Sequence, residues 1–135
     1  MKLNKASLFA LYAVLELASD HDRQLSTSDI ADKYGISANH LAKKMRSLAQ
    51  NGLVQPIRGA GGGYRFAGNV HKTTLLDVIQ LFEKLEPELD MPNYVNHSGD
   101  PIVAELQNIS NEIDDHFKGV LNSITLATAL KSSCQ

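Results

Sequence analysis

The sequence predicts a mainly α-helical domain with one small β-hairpin, ended by a C-terminal helix longer than its own core requires. Three observations carry this. Apolar residues recur at spacings of three and four through five separate stretches, the period of amphipathic helices. A glycine-rich stretch, "PIRGAGGGYRF" at 56–66, lies between two short runs of strand character. The last apolar stripe continues for roughly 25 residues, which as a helix is a rod of about 37 Å.

The elements follow in order. Residues 3–18 form the first helix, with Leu8, Leu11, Leu15 and Ala18 on one stripe and Phe9, Val14 and Leu17 widening it. A second helix begins at "STSDIADKYG", where Ser26 is the N-cap with Asp29 three residues on, and Gly35 stops it. Ser37 caps a third, "SANHLAKKMRSLAQNG", which ends at Gly52. "LVQPI" and "YRF" are short strands on either side of the glycines. Thr73 or Thr74 caps a fourth helix, "TLLDVIQLFEKL", stopped by Pro87, and a loop rich in Pro, Asn, Gly and Asp covers 87–100. Asp100 and Pro101 then start the last helix. Its stripe is Ile102, Leu106, Ile109, Ile113, Phe117, Val120 and Ile124, and a second copy packing along residues 102–126 would cover it. Folding back over its own domain is the other way to cover such a stripe.

Composition narrows the function classes. At 135 residues, 43% hydrophobic and 21% charged, the chain has the make-up of one soluble globular domain. No apolar run reaches the length of a membrane span. The opening "MKLNKASLFALYAVLELASDHD" is broken by Glu16 and reads as an amphipathic helix and not a signal peptide. A single cysteine, Cys134, permits no internal disulfide and suits a cytoplasmic protein. Net charge is −2, but it is divided unevenly. Residues 1–72 hold ten Lys/Arg and five Asp/Glu, giving +5; residues 73–135 hold three and ten, giving −7. A basic front portion, 1–72, suits a polyanion, and the acidic remainder is a portion that does not bind it; with the long stripe and the 87–100 loop, 73–135 is the expected dimerisation and effector-loop region.

Two short helices joined by "YGIS" make a helix-turn-helix, with Ala31 small at the crossing and Ile36 buried after the turn. On the third helix Ala38, Leu41, Met45 and Leu48 face inward. At about 100° per residue, Asn39, Lys43, Arg46 and Ser47 face the other way, with His40 on the flank. Such side chains bond phosphates and base edges. The glycine stretch fails as a nucleotide loop, because a phosphate loop of the Gly-Lys-Ser/Thr kind leads into a helix and Gly63 leads into a strand. After a recognition helix, a hairpin is a wing. Gly61 and Gly62 let its backbone approach DNA, Tyr64 lies beside them, Arg58 reaches a groove and Arg65 a phosphate. The expected partner is a double-stranded DNA operator. A winged-helix adaptor for an acidic protein is the competing reading. An enzyme is the weakest, since the sequence has no paired carboxylates at meaningful spacing, nucleophile–base set or metal cluster.

"YGISANHLAKKMRSLAQNGLV", "RGAGGGYRF", "TLLDVIQLFEKLEP" and "LNSITLATAL" together resemble the Rrf-two family of bacterial winged helix-turn-helix transcriptional regulators. That family includes the iron–sulfur cluster regulator and the nitric-oxide-sensitive repressor, and "NH" at 39–40 and "LEP" at 85–87 look nearer to the latter. The resemblance implies a homodimeric repressor crossing at its long helix, with base or groove contacts at Asn39, His40 and Arg58 and with Lys43 nearby. It also implies where cluster cysteines would stand. Those positions are Ala104, near Ser98 and near Asn93, with a further ligand position on Leu8, and none is a cysteine. The expectation is therefore a member with no cluster, cofactor or metal. His97 is the one loop residue able to ligate a metal, and Cys134 the one thiol able to sense oxidation. The signal would then come from a small molecule near the 87–100 loop or from a protein partner, or there is none.

Overall fold

A computed structural model describes residues 3–59, 61–85 and 99–133. The elements run α1 (Lys5–Ala18), α2 (Thr27–Tyr34), α3 (Ala38–Gln50), β1 (Val54–Ile57), β2 (Gly63–Phe66), α4 (Leu75–Ile79), α5 (Pro101–Ser123) and α6 (Leu126–Ser133). The fold is mainly helical with one antiparallel hairpin, the class the sequence predicts. Helix α1 is the centre, packed against α3, α4, β2 and α6.

That central position explains the first departure from the sequence reading. The buried face of α1 is Ser7, Ala10, Leu11, Ala13, Val14, Glu16, Leu17 and Ala18, while Leu8 and Leu15 are only half-buried. Alanines at 10 and 13 let neighbouring elements approach, and the two polar residues go inside because partners meet them there. Ser7 Oγ donates to Glu83 Oε2 at 2.5 Å, and the Asn4 amide donates to the same oxygen at 2.8 Å. A buried hydroxyl with a charged acceptor is satisfied.

The caps form as the sequence dictates. Ser26 and Asp29 make a reciprocal capping box at 3.0 Å each way, and Gly35 closes α2 in the left-handed conformation at φ 66°. Leu41, Met45 and Leu48 of α3 are completely buried; Ala38, expected inside, is exposed because it overhangs the first turn. Thr74 caps α4 with Asp77 as its box partner. This helix is far shorter than the stretch to Pro87 suggests. After Ile79 the backbone tightens, with Leu81 N donating to Val78 O and Phe82 N to Ile79 O. At the end of this turn Glu83 meets Ser7 and Asn4. Pro87 and most of the 87–100 loop lie outside the described residues.

Helix α5 starts as expected, with Asp100 Oδ1 accepting from Ile102 N at 2.9 Å and Pro101 in the first turn. Its 23 residues rise about 35 Å. It does not run through Ile124, which is extended. The chain there forms a bridge to the start of α4: Leu75 N donates to Ile124 O and Leu126 N to Thr73 O, both at 2.9 Å. A separate helix, α6, then returns to α1 with Leu126 fully buried. The end of α5 packs on α4, with Leu121 buried and Phe117 against the core, and α6 folds back over α1, while the α5 stripe from Ile102 to Ile113, with Val120, stays uncovered within one chain. Ile102 is 72% exposed, and Leu106, Ile109, Ile113 and Val120 lie between 44% and 57%.

Candidate nucleic-acid interface

The helix-turn-helix is set by local hydrogen bonds. Ile36 N donates to Ala31 O at 2.9 Å across the left-handed glycine, which buries Ile36 and Ala31 together. Ser37 Oγ accepts from His40 N at 3.5 Å and starts α3. With Leu41, Met45 and Leu48 fixed inward, Asn39, His40, Lys43 and Arg46 are exposed on the outer side. Ser47 is half-buried at the margin of that face.

Strands β1 and β2 pair in the register Val54↔Phe66, Gln55↔Arg65, Pro56↔Tyr64 and Ile57↔Gly63. Val54 and Phe66 are buried and root the hairpin in the core. Gln55 and Arg65 stand opposite each other and are exposed. Arg58 is exposed where the turn begins, and Gly61 is exposed within it. The glycines have structural duties as well. Gly59 and Gly61 hold φ of 109° and 73°, which L side chains rarely adopt. A Cβ on Gly62 would lie 2.8 Å from Ile57 O, and one on Gly63 would run into Leu25 O.

Sequence reasoning missed what holds the wing. Leu25 and Tyr64 exchange two backbone hydrogen bonds, at 2.8 and 3.1 Å, so the segment entering α2 acts as a third, one-residue strand. Gln24 Nε2 donates to Gly61 O at 2.5 Å. Tyr64 and Gly62 are accordingly half-buried, and the Tyr64 ring packs against the core. The one available signal was an apolar residue, Leu25, directly before the Ser26 cap. Wing and recognition helix are therefore both fastened to the same short stretch, 24–37.

Helix α2 is held to α1 by a polar latch. Glu16, 8% exposed, accepts from Lys33 Nζ at 2.7 Å and Tyr34 Oη at 2.6 Å on one oxygen, and pairs with Arg23 at 3.2 Å on the other. Burial alone would raise the Glu16 pKa, but the hydrogen bonds from Lys33 and Tyr34 and the nearby cations outweigh it, and the carboxyl sits below its usual 4.5. Burial first, and then the bond to Glu16, push the Tyr34 phenol up to about 12. The signs give two pH limits. The Glu16 contribution is complete above its usual value and is lost as pH falls through the lowered one; the Tyr34 contribution is lost between the ordinary 10 and about 12. Glu16→Ala should cost about 2 kcal/mol at neutral pH, less than a fully buried pair, because Arg23 and Lys33 are 43% and 56% exposed. Urea denaturation of both proteins should show that difference shrinking in acid.

The model of the Rrf2 family, described as an iron-dependent transcriptional regulator, matches residues 3–132. BadM of Rhodopseudomonas palustris, named as a candidate HTH-type transcriptional regulator, is 46% identical over 131 residues, covering 97% of this chain and 82% of its own. A candidate HTH-type transcriptional regulator of Aquifex aeolicus is 33% identical over 82% of this chain and 81% of its own. Among solved structures, CymR of B. subtilis, a global cysteine regulator, superimposes with a TM-score of 0.78 at 29% identity, over 98% of both chains. IscR of T. potens does so at 0.77 and 25% identity, over 98% of this chain and 88% of its own.

The family description names iron, and the sequence offers one cysteine that could hold it as a cluster. Iron–sulfur clusters are held chiefly by thiolates. The single cysteine, Cys134, lies outside the described residues, as do Asn93, His97 and Ser98. Ala104, on exposed α5, carries only a methyl group. Among the described residues no three His, Cys, Asp or Glu side chains cluster to hold a metal. Among those same residues no helix is long and apolar enough to cross a membrane.

Proposed function

This chain belongs to the Rrf2 family of transcriptional regulators, and we propose that within it the protein is a homodimeric, sequence-specific repressor that carries no iron–sulfur cluster. One observation carries the DNA-binding part. The exposed Asn39, His40, Lys43 and Arg46 face and the Arg58 and Arg65 wing are both fastened to residues 24–37, which supports reading them as one surface. On this reading α3 enters the major groove, where Asn39 and His40 meet base edges and Lys43, Arg46 and Ser47 hold the backbone. Arg58 enters a groove at the wing, Arg65 meets a phosphate, and Gly61, Gly62 and Tyr64 bring the hairpin backbone close. Residues 1–72 carry this surface, while 73–135 assemble the dimer and receive the signal.

The dimer is supported by the uncovered stripe on α5. The cluster-free assignment is supported by the donor chemistry of the sequence, and the repressor assignment by the resemblance to the nitric-oxide-sensitive repressor.

Lys43→Ala and Arg58→Ala should each weaken binding to a selected duplex about tenfold or more, without lowering thermal stability. Losing a phosphate contact should also reduce the salt slope by about one unit. Fluorescence anisotropy against salt concentration measures both. If the two variants bind as the parent does, the assignment of this surface is wrong. An adaptor for an acidic protein would show little affinity for random duplex at low salt, and that result would replace the DNA reading altogether.

A further inference from the structure

A cleft lies beside the Glu16 latch. Helices α1, α2 and α6 border it, half-open to solvent, with a volume of about 420 Å³, within the size range of small-molecule pockets. Tyr12 and Leu15 of α1 and Leu130 of α6 give it apolar walls. Arg23 and Lys33 give it charge. Tyr12 and Tyr34 stack with centroids 4.8 Å apart at 10°, and the Lys33 ammonium lies 5.4 Å from the Tyr34 ring centre.

The charge balance indicates what such a cleft takes. One carboxylate, Glu16, is shared between two cations, so the cluster carries a net positive charge. Glu16 engages both side chains, yet arginine has five N–H donors and lysine three. Both cations are therefore held in place with donors to spare, an arrangement that lowers the ordering cost of binding an anion. The stacked tyrosines and the leucines suit a flat apolar body beside that charge.

The geometry points to a binding site for a small organic anion, a single carboxylate or phosphate on a flat apolar body, in the cleft between α1, α2 and α6. Its position gives it a regulatory use, a step that rests on the DNA-binding reading. Lys33 and Tyr34 belong to the first helix of the helix-turn-helix, Tyr12 and Glu16 to the central helix, and Leu130 to the C-terminal one. An anion on the spare donors of Arg23 and Lys33 offsets the charge with which they hold Glu16, and so changes how firmly α2, and with it α3, is held to α1. A ligand that prefers one arrangement shifts the population toward it.

The full chain, labelled with ¹⁵N, is titrated with phenylacetate and with phenyl phosphate, each carrying a ring and one acidic group. Inorganic phosphate and benzyl alcohol supply the two parts separately. Saturable shifts of the Tyr12, Arg23, Lys33 and Leu130 amides are expected with at least one ring-bearing anion, about tenfold tighter than with either part alone. The tighter of the two acids identifies the head group. Arg23→Gln should weaken that binding about tenfold, and Leu130→Trp, which fills the cleft, should abolish it while the spectrum stays dispersed. Unsaturable shifts, shifts centred elsewhere, or equal binding by both variants would overturn the site. Anisotropy with a DNA duplex, with and without the bound probe, reads the coupling, and unchanged affinity refutes it. The NMR titration contains no DNA, so a protein that binds no duplex at all overturns the operator reading while the site is still decided.

Discussion

Lysine in place of both Ile109 and Ile113 is expected to leave the domain folded but monomeric and to weaken operator binding about a hundredfold or more. Both side chains are already exposed, so the substitutions remove nothing from the core of one chain. In a two-fold pairing each change occurs twice, and covering the exposed half of an isoleucine is worth about 1 kcal/mol, roughly half the value for full burial. Four such losses come with desolvation and repulsion of the like charges brought together in their place, which adds to the cost of pairing. Sedimentation velocity reads the assembly and anisotropy the affinity. A variant that remains dimeric would place the interface elsewhere, and a monomer with parental affinity would show that pairing is not needed to read DNA.

The second large effect lies at Gly63. An added Cβ meets the Leu25 carbonyl oxygen and lies 2.8 Å from Ser26 N, both of them backbone atoms that cannot rotate away. Gly63→Ala must therefore pull β2 off the Leu25–Tyr64 bridge or displace the Ser26 cap. A loss of about 2–4 kcal/mol follows, or about 10 °C in Tm. DNA affinity should fall further than the loss of folded protein explains, because a displaced wing misplaces Arg58 and Arg65. Thermal melts and DNA titration below the melting range separate the two. An unchanged Tm would mean that the wing is not seated on Leu25.

Where the fold was legible in the sequence, the deciding hydrogen bonds are local. Ser26 with Asp29, Gly35, Ser37, Thr74 with Asp77, and Asp100 with Ile102 each act within three or four residues, so their spacing reveals them. The outer face of α3 was legible for the same reason, since helical geometry alone assigns it once Leu41, Met45 and Leu48 face inward. What stayed hidden depends on distant partners. Ser7 is buried because Glu83 meets it, and Glu16 because Lys33 and Tyr34 do. The early end of α4 and the break at Ile124 follow from contacts 48 or more residues apart in sequence. The wing glycines were recognised but credited only to DNA. Their first partner is the chain itself, at Leu25 and Ile57.

The joint between α5 and α6 has a consequence for the spacing of the operator. Leu75, Leu126 and Ala127 tie it by backbone hydrogen bonds of 2.9 Å to residues 70–75, which directly follow the wing strand. No flexible linker separates the rod from the reading head at that end. If two copies pair along α5, as proposed, this joint fixes the angle at which each rod meets its own reading head. Half-sites one helical turn apart, about 34 Å, demand that kind of stiffness. One base pair inserted between them would both lengthen the gap and rotate one half-site away from its helix, and a rigid joint has little give to follow it.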